Sequence, residues 1–351
     1  MAFLMDAWYI AGWASDLDAG PVGRVFLGEP VLLYRKEDGK AVALSNRCPH
    51  RFAPLSMGKV KGNSIQCPYH GLEFGPDGVC THNPHGDCSI PKAARVKAYP
   101  LEERQGALWI WMGNAEKADP SAIVDIGEVD GRPGYATVRG HLMVKGHYEL
   151  MSDNLLDLSH VPFLHPFLSF SGKPPEGFRV ENELVQDGNT VWSKFWNYKA
   201  PVSPLFAMLW DGAPQTGTMR AHMRWDPPCT LYLDVGMSPD DGPESEGVAI
   251  PIVHLLVPET ENSTHYFWAQ ARNRKIEDEG ISAAMAQGID EVFRNEDERM
   301  IEACAQMMGT TDLMSLKPVL LPGDAPAIRA RRVLSALIEN EQKASVILRS
   351  S

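Results

Sequence analysis

The sequence has few cysteines, no excess of basic charge and no long apolar run. Six cysteines in 351 residues are too few for a disulfide-rich secreted scaffold. The formal net charge of −12 argues against a nucleic-acid-binding protein, because phosphate contacts require clustered lysine and arginine. No run approaches the ~18 apolar residues of a membrane-spanning helix, and the first 16 residues lack the basic segment of a secretory signal. We therefore expect a cytoplasmic protein that binds neither nucleic acid nor membrane.

The length and the order of predicted elements indicate two domains. A chain of 351 residues exceeds what one hydrophobic core usually organises. Residues 1–115 contain short β-rich runs separated by turn signals such as Asp38-Gly39 and Asp77-Gly78. These runs are Arg24–Tyr34, Ala41–Ser45 and Ala107–Met112. We predict an α+β protein with an all-β domain over 1–115 and a second domain over 116–351.

The second domain mixes helical and strand-like patterns. Helices are predicted near Tyr148–His160, Ile281–Met308 and Ala327–Asn340, and strands near Thr190–Tyr198, Leu231–Gly236, Ala249–Val257 and Thr264–Arg272. Strands bracketed by helices are typical of an antiparallel sheet covered by helices.

Two short loops of the first domain each offer one thiol and one imidazole. Cys48-Pro49-His50 and Cys67-Pro68-Tyr69-His70 are separated by 16 residues. Such a set binds zinc or an iron–sulfur cluster. A zinc finger usually takes both cysteines from one loop, whereas one cysteine and one histidine from each loop suit a cluster with two sulfur-bound and two nitrogen-bound positions. The order favours the cluster, and a zinc site remains the alternative.

A second group of polar residues lies in the second domain. Asp153, Asp157 and His160 would share one face of a helix through their spacing. Pro162 would end that helix, and a turn would bring His165 back towards His160. Two converging neutral imidazoles suit a divalent iron or zinc ion. The alternative is a capped helix with a polar face.

The long predicted helix offers a carboxylate that would complete such a metal site. Its apolar stripe consists of Ile289, Val292, Phe293, Met300, Cys304 and Met307. Glu296 and Asp297 fall on or at the edge of this stripe. A buried carboxylate is costly unless it is paired or binds a metal. Either residue could serve as a ligand, or both could be edge residues that reach solvent.

The motifs resemble those of one enzyme family. The runs 48–56 (CPHRFAPLS) and 67–74 (CPYHGLEF) resemble the Rieske domains of aromatic-ring oxygenases. Respiratory Rieske proteins carry an additional disulfide between the two loops, and Ala53 and Tyr69 stand at the matching positions here. The pattern D-N-x-x-D-x-x-H-x-x-x-x-H at 153–165 is similar to the iron-site signature of the same oxygenases. By resemblance the chain is identified as a Rieske-type non-haem iron oxygenase.

This resemblance implies roles for the residues named above. The ligands of a [2Fe–2S] cluster would be Cys48, His50, Cys67 and His70, and those of a mononuclear Fe(II) would be His160, His165 and Asp297, with Glu296 as the fallback. In a homotrimer, Asp157 would accept a hydrogen bond from the partner subunit's His70 and would also orient His160. Asn154 would lie near the iron without being a firm ligand.

The residues 6–9 (DAWY), 103–104 (ER), 109–111 (WIW) and 257–261 (VPETE) are similar to a subgroup that includes vanillate and dicamba O-demethylases. The resemblance implies a helix-grip, Bet v 1-like second domain. It also implies hydroxylation of an alkyl carbon on an ether oxygen or amide nitrogen of an aromatic substrate, followed by release of an aldehyde. The alternatives are a ring-hydroxylating dioxygenase, a non-catalytic Rieske electron carrier and a zinc-stabilised binding protein.

The source of electrons is expected to lie outside the chain. No Gly-x-Gly-x-x-Gly motif follows a predicted strand, so the chain shows no dinucleotide-binding fingerprint. We expect NADH to be oxidised by a separate flavin reductase, acting directly or through a ferredoxin.

The substrate site is the least defined part of the prediction. Phe167 and Trp210, with Leu164, Phe206 and Phe267, are candidates for an apolar slot. His254 stands in a strand of apolar residues, and it would hydrogen-bond a substrate carboxylate or carbonyl, or be a satisfied core histidine. Gly288 lies nine residues before Asp297, where small-acid relatives can carry a bulky aromatic side chain. A glycine there would widen the pocket.

Overall fold

The structure of the chain, a computed structural model, describes residues 3–165, 168 and 173–350. The described chain forms two compact units. The first consists of Phe3–Ile123 and Val257–Glu261, and the second begins at Val124. The predicted boundary after residue 115 stays a prediction. No helix in the described ranges is both long and apolar enough to cross a membrane.

The first unit is built from small antiparallel sheets, as predicted. Its strands are β1 (Trp8–Trp13), β2 (Val22–Phe26), β3 (Glu29–Arg35), β4 (Ala41–Ser45), β5 (Lys59–Lys61), β6 (Ser64–Gln66), β7 (Glu73–Phe74), β8 (Cys80–His82), β9 (Ala98–Tyr99), β10 (Leu101–Arg104) and β11 (Ala107–Trp111). They form the sheets β1-β11-β10, β2-β3-β4-β9 and β5-β6-β7-β8. The run Arg24–Tyr34, predicted as one strand, is a hairpin because Leu27 and Gly28 both adopt left-handed φ angles, 53° and 81°.

The second unit contains one large sheet and the helices. Its elements are β12 (Ala136–Val144), α1 (Tyr148–Leu156), α2 (Val161–Leu164), β13 (Arg179–Asp187), β14 (Thr190–Pro201), α3 (Pro204–Leu209), β15 (Thr216–Asp226), β16 (Thr230–Pro239), β17 (Val248–Ala249), β18 (Ile252–Thr260), β19 (Ser263–Arg272), α4 (Glu279–Val292), α5 (Glu298–Met308) and α6 (Ala325–Ser350). The sheet has eight strands in the order β12-β19-β18-β16-β15-β14-β13, with β17 beside β16. The predicted α+β fold is confirmed.

The core of the second unit lies where helices cover this sheet. Phe206 and Leu209 on α3 are buried together with Met237 on β16 and Met285 on α4. Burying each such side chain contributes ~1.5–3 kcal/mol. These contacts hold α3 and α4 against the face of the sheet that carries the cavity described below.

Two predicted helices are interrupted. The helix predicted near Tyr148–His160 ends at Leu156 because Asp157 leaves the helical region (φ −110°, ψ 94°) and its side chain caps the next turn by accepting from Ser159 N. The predicted helix Ile281–Met308 is α4 and α5 joined by a π turn, Phe293–Asp297.

The predicted apolar stripe is wrong beyond Asp297, because the π turn changes which side of α5 is buried. Its extra residue rotates α5 by ~100° relative to an uninterrupted helix. Ile301, one turn after Asp297, is therefore buried, whereas Met300 and Cys304 are exposed and Met307 is 86% exposed. The C-terminal helix was also predicted too short, since α6 begins at Ala325 and continues to Ser350.

Candidate metal centres and substrate cavity

The two Cys/His loops of the first unit share a pattern of backbone hydrogen bonds. Phe52 N donates to Cys48 O (2.8 Å), and Gly71 N donates to Cys67 O (3.1 Å). In each loop the cysteine amide also donates to the carbonyl five residues later. Phe52 and Gly71 have left-handed φ angles of 60° and 74°, which glycine adopts freely and phenylalanine only with strain. The two loops thus place their cysteines at matching positions, whereas the histidine follows two residues after Cys48 and three residues after Cys67.

The donor atoms of these loops suit an iron–sulfur cluster. Cys48 and Cys67 are buried, His50 is exposed and His70 is half-buried. The two imidazole rings lie 4.4 Å apart between centroids. Burial, with a contribution from the adjacent Cys67 thiol, raises the pKa of the Cys48 thiol to about 11. Buried thiols of this kind become thiolates when a metal displaces their protons.

His85 is a neighbour of the cluster loops whose position the sequence did not reveal. Its Nε2 donates to His70 O (2.7 Å), and the two rings lie 6.2 Å apart. In the sequence, the one sign of such a role is that His85 lies close to His82 and Cys88. The contact holds the backbone of a predicted cluster ligand.

Three side chains of the second unit converge on one point. Asp297 Oδ1 lies 3.1 Å from His165 Nε2 and 3.6 Å from His160 Nε2. One ligand atom of each residue lies within 4.8 Å of those of the other two. Asp297 and His165 are buried and His160 is half-buried. Two histidines and one carboxylate on one side of an ion are the ligand set of non-haem Fe(II) oxygenases.

The other ring nitrogen of each histidine is already engaged. His160 Nδ1 donates to the backbone carbonyl of Asp157 (2.7 Å), and His165 Nδ1 donates to Glu296 Oε2 (2.6 Å). Both rings therefore present Nε2 towards Asp297. Glu296 and Asp297 have different positions: Glu296 reaches the outer nitrogen of His165, and Asp297 lies among the inner nitrogens.

Asn154 and Asp157 make different contacts near this cluster of side chains. Asn154 Nδ2 donates to Asp297 Oδ1 (3.2 Å), so Asn154 contacts the candidate ligand set. The Asp157 carboxylate accepts from Ser159 N (2.9 Å), and it lies beside Gly323, where a Cβ atom would approach it to 2.8 Å. It is the carbonyl of Asp157, not its carboxylate, that contacts His160 within this chain.

A buried ion group behind Asn154 was not predicted. Arg331 on α6 donates from Nε and from a terminal nitrogen to both oxygens of Asp153 (2.7–3.0 Å) and from Nη1 to Glu149 Oε2 (2.5 Å). Burial raises the pKa of both carboxyls, and Arg331 opposes that rise. This group fastens α1, which carries Asn154, to the C-terminal helix.

A cavity of about 770 Å³ opens onto the three converging side chains. Its walls come from β14, β15, β16, β18, α3, α4 and the π turn, and five methionines line it: Met208, Met219, Met223, Met237 and Met285. The volume is in the upper part of the ~300–1,000 Å³ typical of small-molecule sites. The cavity is therefore a candidate substrate site next to a candidate iron site.

The candidate substrate residues differ in their placement. His254 and Gly288 line the cavity, and a Cβ at Gly288 would meet no atom within 4 Å. Trp210 does not line the cavity; it is buried in the same core cluster as Phe206 and Ile250, which do line it. Phe167 lies outside the described residues.

Comparison with known protein families shows which family the chain belongs to. Residues 7–100 match the Rieske [2Fe-2S] domain, and residues 144–340 match the vanillate O-demethylase oxygenase C-terminal domain. The chain belongs to this family of Rieske oxygenases. It is 36% identical to the chloroacetanilide N-alkylformylase oxygenase component of Rhizorhabdus wittichii over 98% of both chains. It is 34% identical to the dicamba O-demethylase oxygenase component of Stenotrophomonas maltophilia over 97% of this chain and 99% of the relative.

Solved structures agree with the sequence relatives. The crystal structure of dicamba monooxygenase bound to dicamba superposes with a TM-score of 0.89 at 32% identity, covering 98% of this chain and all of the other. The chain is thus the oxygenase component of a multicomponent Rieske monooxygenase of the O-demethylating or N-dealkylating type. It carries a [2Fe–2S] cluster and a non-haem iron, and its electrons come from a reductase. The predicted family and cofactors are confirmed. The two alternatives, a zinc-stabilised binding protein and a non-catalytic electron carrier, are therefore wrong.

Proposed function

We propose that His160, His165 and Asp297 hold the Fe(II) of this monooxygenase. The observation that supports this most strongly is that both histidines present Nε2 to the Asp297 carboxylate while their Nδ1 atoms are engaged elsewhere. Glu296 supports His165 from outside and is not proposed as a ligand. Two histidines and one carboxylate leave positions open for O₂.

We propose Cys48, His50, Cys67 and His70 as the ligands of the [2Fe–2S] cluster. Their support is the matched geometry of the two loops and the closeness of the two imidazoles. The buried thiols would hold the inner iron and the histidines the outer one, nearer to solvent and to an electron donor. A flavin reductase, directly or through a ferredoxin, would supply electrons from NADH. Free thiols and NADH as electron source support a cytoplasmic location.

The reaction we propose is oxidative dealkylation of an aromatic ether or amide. When bound, the cluster supplies single electrons and the iron activates O₂, so that the alkyl carbon is hydroxylated and leaves as an aldehyde. The chain's own residues determine which carbon reacts. The methionine-rich walls exclude water and hold the aromatic part of the substrate, and Asn154 and Glu296 keep Asp297 and His165 in place.

We further propose a homotrimer in which the cluster of one subunit faces the iron of the next. Apolar side chains are exposed beside both sites: Phe52 (73%) and Tyr69 (65%) in the cluster loops, and residues 319–321 next to Gly323, which borders Asp157. Closed rotational contacts between such unlike surfaces make a ring. The Asp157 carboxylate would accept a hydrogen bond from the partner subunit's His70.

Reconstitution tests the proposed reaction. The purified protein would be combined with a flavin reductase, NADH and O₂, and offered a panel of aromatic methyl ethers and N-alkyl anilides. We expect an aldehyde and the dealkylated product in equal amounts, with one O₂ and one NADH consumed for each. A cis-dihydrodiol and no aldehyde would contradict the proposal and indicate a ring dioxygenase.

A further inference from the structure

The substrate cavity is long in one direction. On α4 and the π turn that follows it, the residues that line the cavity run from Ala284 and Met285 to Asp297. Met285 precedes Asp297 by 12 positions, which corresponds to roughly 17 Å along a helix axis. The candidate iron site lies at the Asp297 end of this span. We call the other end, at Met285, the distal end of the cavity.

The sheet gives a second measure of the same length. His254 on β18 lies near the candidate iron site, because its ring is 5.8 Å from that of Phe293, the first residue of the π turn. His254 pairs with Leu231 on β16. Met237, which lines the cavity, is six residues further along β16, or roughly 20 Å away in an extended strand. An aromatic ring with a methoxy group is much shorter than either span, so it covers only part of the cavity.

The distal end is lined mainly by apolar side chains from both walls. These side chains, which pack in or against one core cluster, are Phe206 on α3, Met219 on β15, Met237 on β16 and Met285 on α4. Thioether side chains adapt their shape to different apolar ligands. Two polar residues also line the cavity near this end: Asn197, which pairs with Met219 across β14 and β15, and Ser203, which directly precedes α3. The distal end therefore favours a group that is mostly apolar.

Gly288 leaves space at the distal end. It lies one helical turn after Met285, it lines the cavity, and a Cβ atom at this position would meet no atom within 4 Å. Glycine inside a helix is less stable than alanine, and no neighbouring atom requires a glycine here. The space beside Gly288 is therefore available to a ligand rather than to the packing of the protein.

These observations together indicate an elongated substrate. We propose that the alkyl group to be removed lies at the iron, and that an extended apolar substituent on the opposite side of the aromatic ring occupies the distal end. Each methylene of this substituent that is buried strengthens binding about threefold to fourfold. The inference rests on the proposed function for the identity of the reacting group, whereas the fit of the substituent is tested by binding alone.

Titration calorimetry of the holoprotein with 4-n-alkylanisoles, from methyl to octyl, tests the distal end. We expect the affinity to rise about threefold to fourfold for each added carbon. The rise should level off at roughly four to six carbons, where ring and chain together match the length of the cavity. The 2-n-alkylanisoles are the matched control, because they carry the same apolar surface in a bent shape, and they should gain less than about half as much per carbon. Equal gains in the two series, or no dependence on chain length in the 4-alkyl series, would overturn the inference.

Variants in the cavity wall should change the chain length at which affinity levels off. Gly288→Leu places a side chain in the open space, so we expect the hexyl compound to bind at least about tenfold less tightly and the methyl compound to change little. Met219→Ala removes part of the distal wall and should move the levelling to a longer chain. Ala283→Leu adds the same side chain as Gly288→Leu on an exposed position of α4 outside the cavity wall, and it should leave the whole series unchanged.

Iron content and cluster absorption verify that these variants fold. A loss of the same size at every chain length in Gly288→Leu would refute the placement of the substituent. Profiles that remain those of the unaltered protein in both Gly288→Leu and Met219→Ala would refute it as well.

Turnover with reductase and NADH separates this inference from the proposed function. Formaldehyde released from the anisoles, with an affinity that does not depend on chain length, would uphold the dealkylation and overturn the elongated substrate. Tight binding of the long 4-alkyl compounds that Gly288→Leu weakens, without aldehyde from any compound, would uphold the elongated substrate and overturn the dealkylation.

Discussion

Removing the positive charge of Arg331 tests the role of the ion group behind the iron site. Arg331 is buried and pairs with Asp153 and Glu149 on α1. Arg331→Met keeps much of the side-chain volume but leaves two buried carboxyls without a partner. Breaking a buried pair from one side costs ~3–5 kcal/mol. In a unit of this size each kcal/mol changes Tm by ~2–4 °C, so we expect a fall of roughly 10 °C.

The loss should depend on pH in a defined direction. Burial raises the pKa of Glu149 and Asp153 above 4.5 and 3.8, and Arg331 opposes the rise. Without Arg331 both pKa values rise further, so the folded state favours the protonated carboxyls. Stability is then lost as pH rises through those values. The deficit of Arg331→Met should therefore be smallest near pH 4 and should grow as the pH rises.

Differential scanning fluorimetry measures these changes, with iron content recorded in parallel. Arg332→Met removes the same charge from the exposed neighbouring residue and should change Tm by less than about 2 °C. Adding Asp153→Asn to Arg331→Met should restore part of the loss at neutral pH, because one unpaired charge disappears. If Arg331→Met and Arg332→Met behave alike, or if the deficit is independent of pH, the reasoning about the buried charges is wrong.

Three other variants probe the proposed sites. Glu296→Ala should weaken iron binding by about tenfold to a hundredfold, which is measured as the iron retained in the presence of a chelator. Glu296→Gln should keep most of the iron affinity, because its amide oxygen still accepts a hydrogen bond from His165 Nδ1. Gly288→Trp should fill the open space beside Gly288. In titration calorimetry it should weaken the binding of a bulky N-alkyl anilide at least about tenfold and that of the smaller 4-methoxybenzamide less. Equal losses for the two compounds would argue against a filled cavity. Asp157→Asn should keep the cap on Ser159 and both metals but nearly stop cluster-to-iron electron transfer in single-turnover experiments; unchanged rates would reduce Asp157 to a helix cap.

The predicted groupings of side chains that the structure also brings together consist of residues close together in the chain. Each cluster loop contains its cysteine and histidine within four residues, and His160 and His165 are five residues apart. The geometry of such motifs is set by local turns, so a short stretch of sequence is enough to predict which side chains meet. Many strands could be predicted for the same reason, because a β-rich run between two turn signals is also a local pattern.

The helix that contains Asp297 could not be predicted in detail, because the prediction treated 281–308 as one helix with a constant number of residues per turn. A helical stripe through Met300 and Met307 requires 3.6 residues per turn throughout. The π turn Phe293–Asp297 shifts this period, so that Asp297 and Ile301 are buried and the two methionines are exposed. Composition alone does not mark the position of an added residue in a helix.

The remaining contacts join residues far apart in sequence. His165 meets Glu296 across 131 positions, and Arg331 meets Asp153 across 178. His254 and Tyr266 meet through the side-by-side arrangement of β18 and β19. These pairings depend on strand order and helix placement, which periodicity does not determine. For this reason the sequence left open both the role of Glu296 and the hydrogen-bond partner of His254.

The most direct test of the iron site compares Asp297→Ala with Glu296→Ala. Both proteins would be analysed for iron, for the electron paramagnetic resonance signal of the dithionite-reduced cluster and for aldehyde formation. We predict that Asp297→Ala keeps the rhombic Rieske signal but loses the mononuclear iron and all aldehyde, whereas Glu296→Ala keeps some of each. Full iron and activity in Asp297→Ala, together with their loss in Glu296→Ala, would contradict the proposed ligand set.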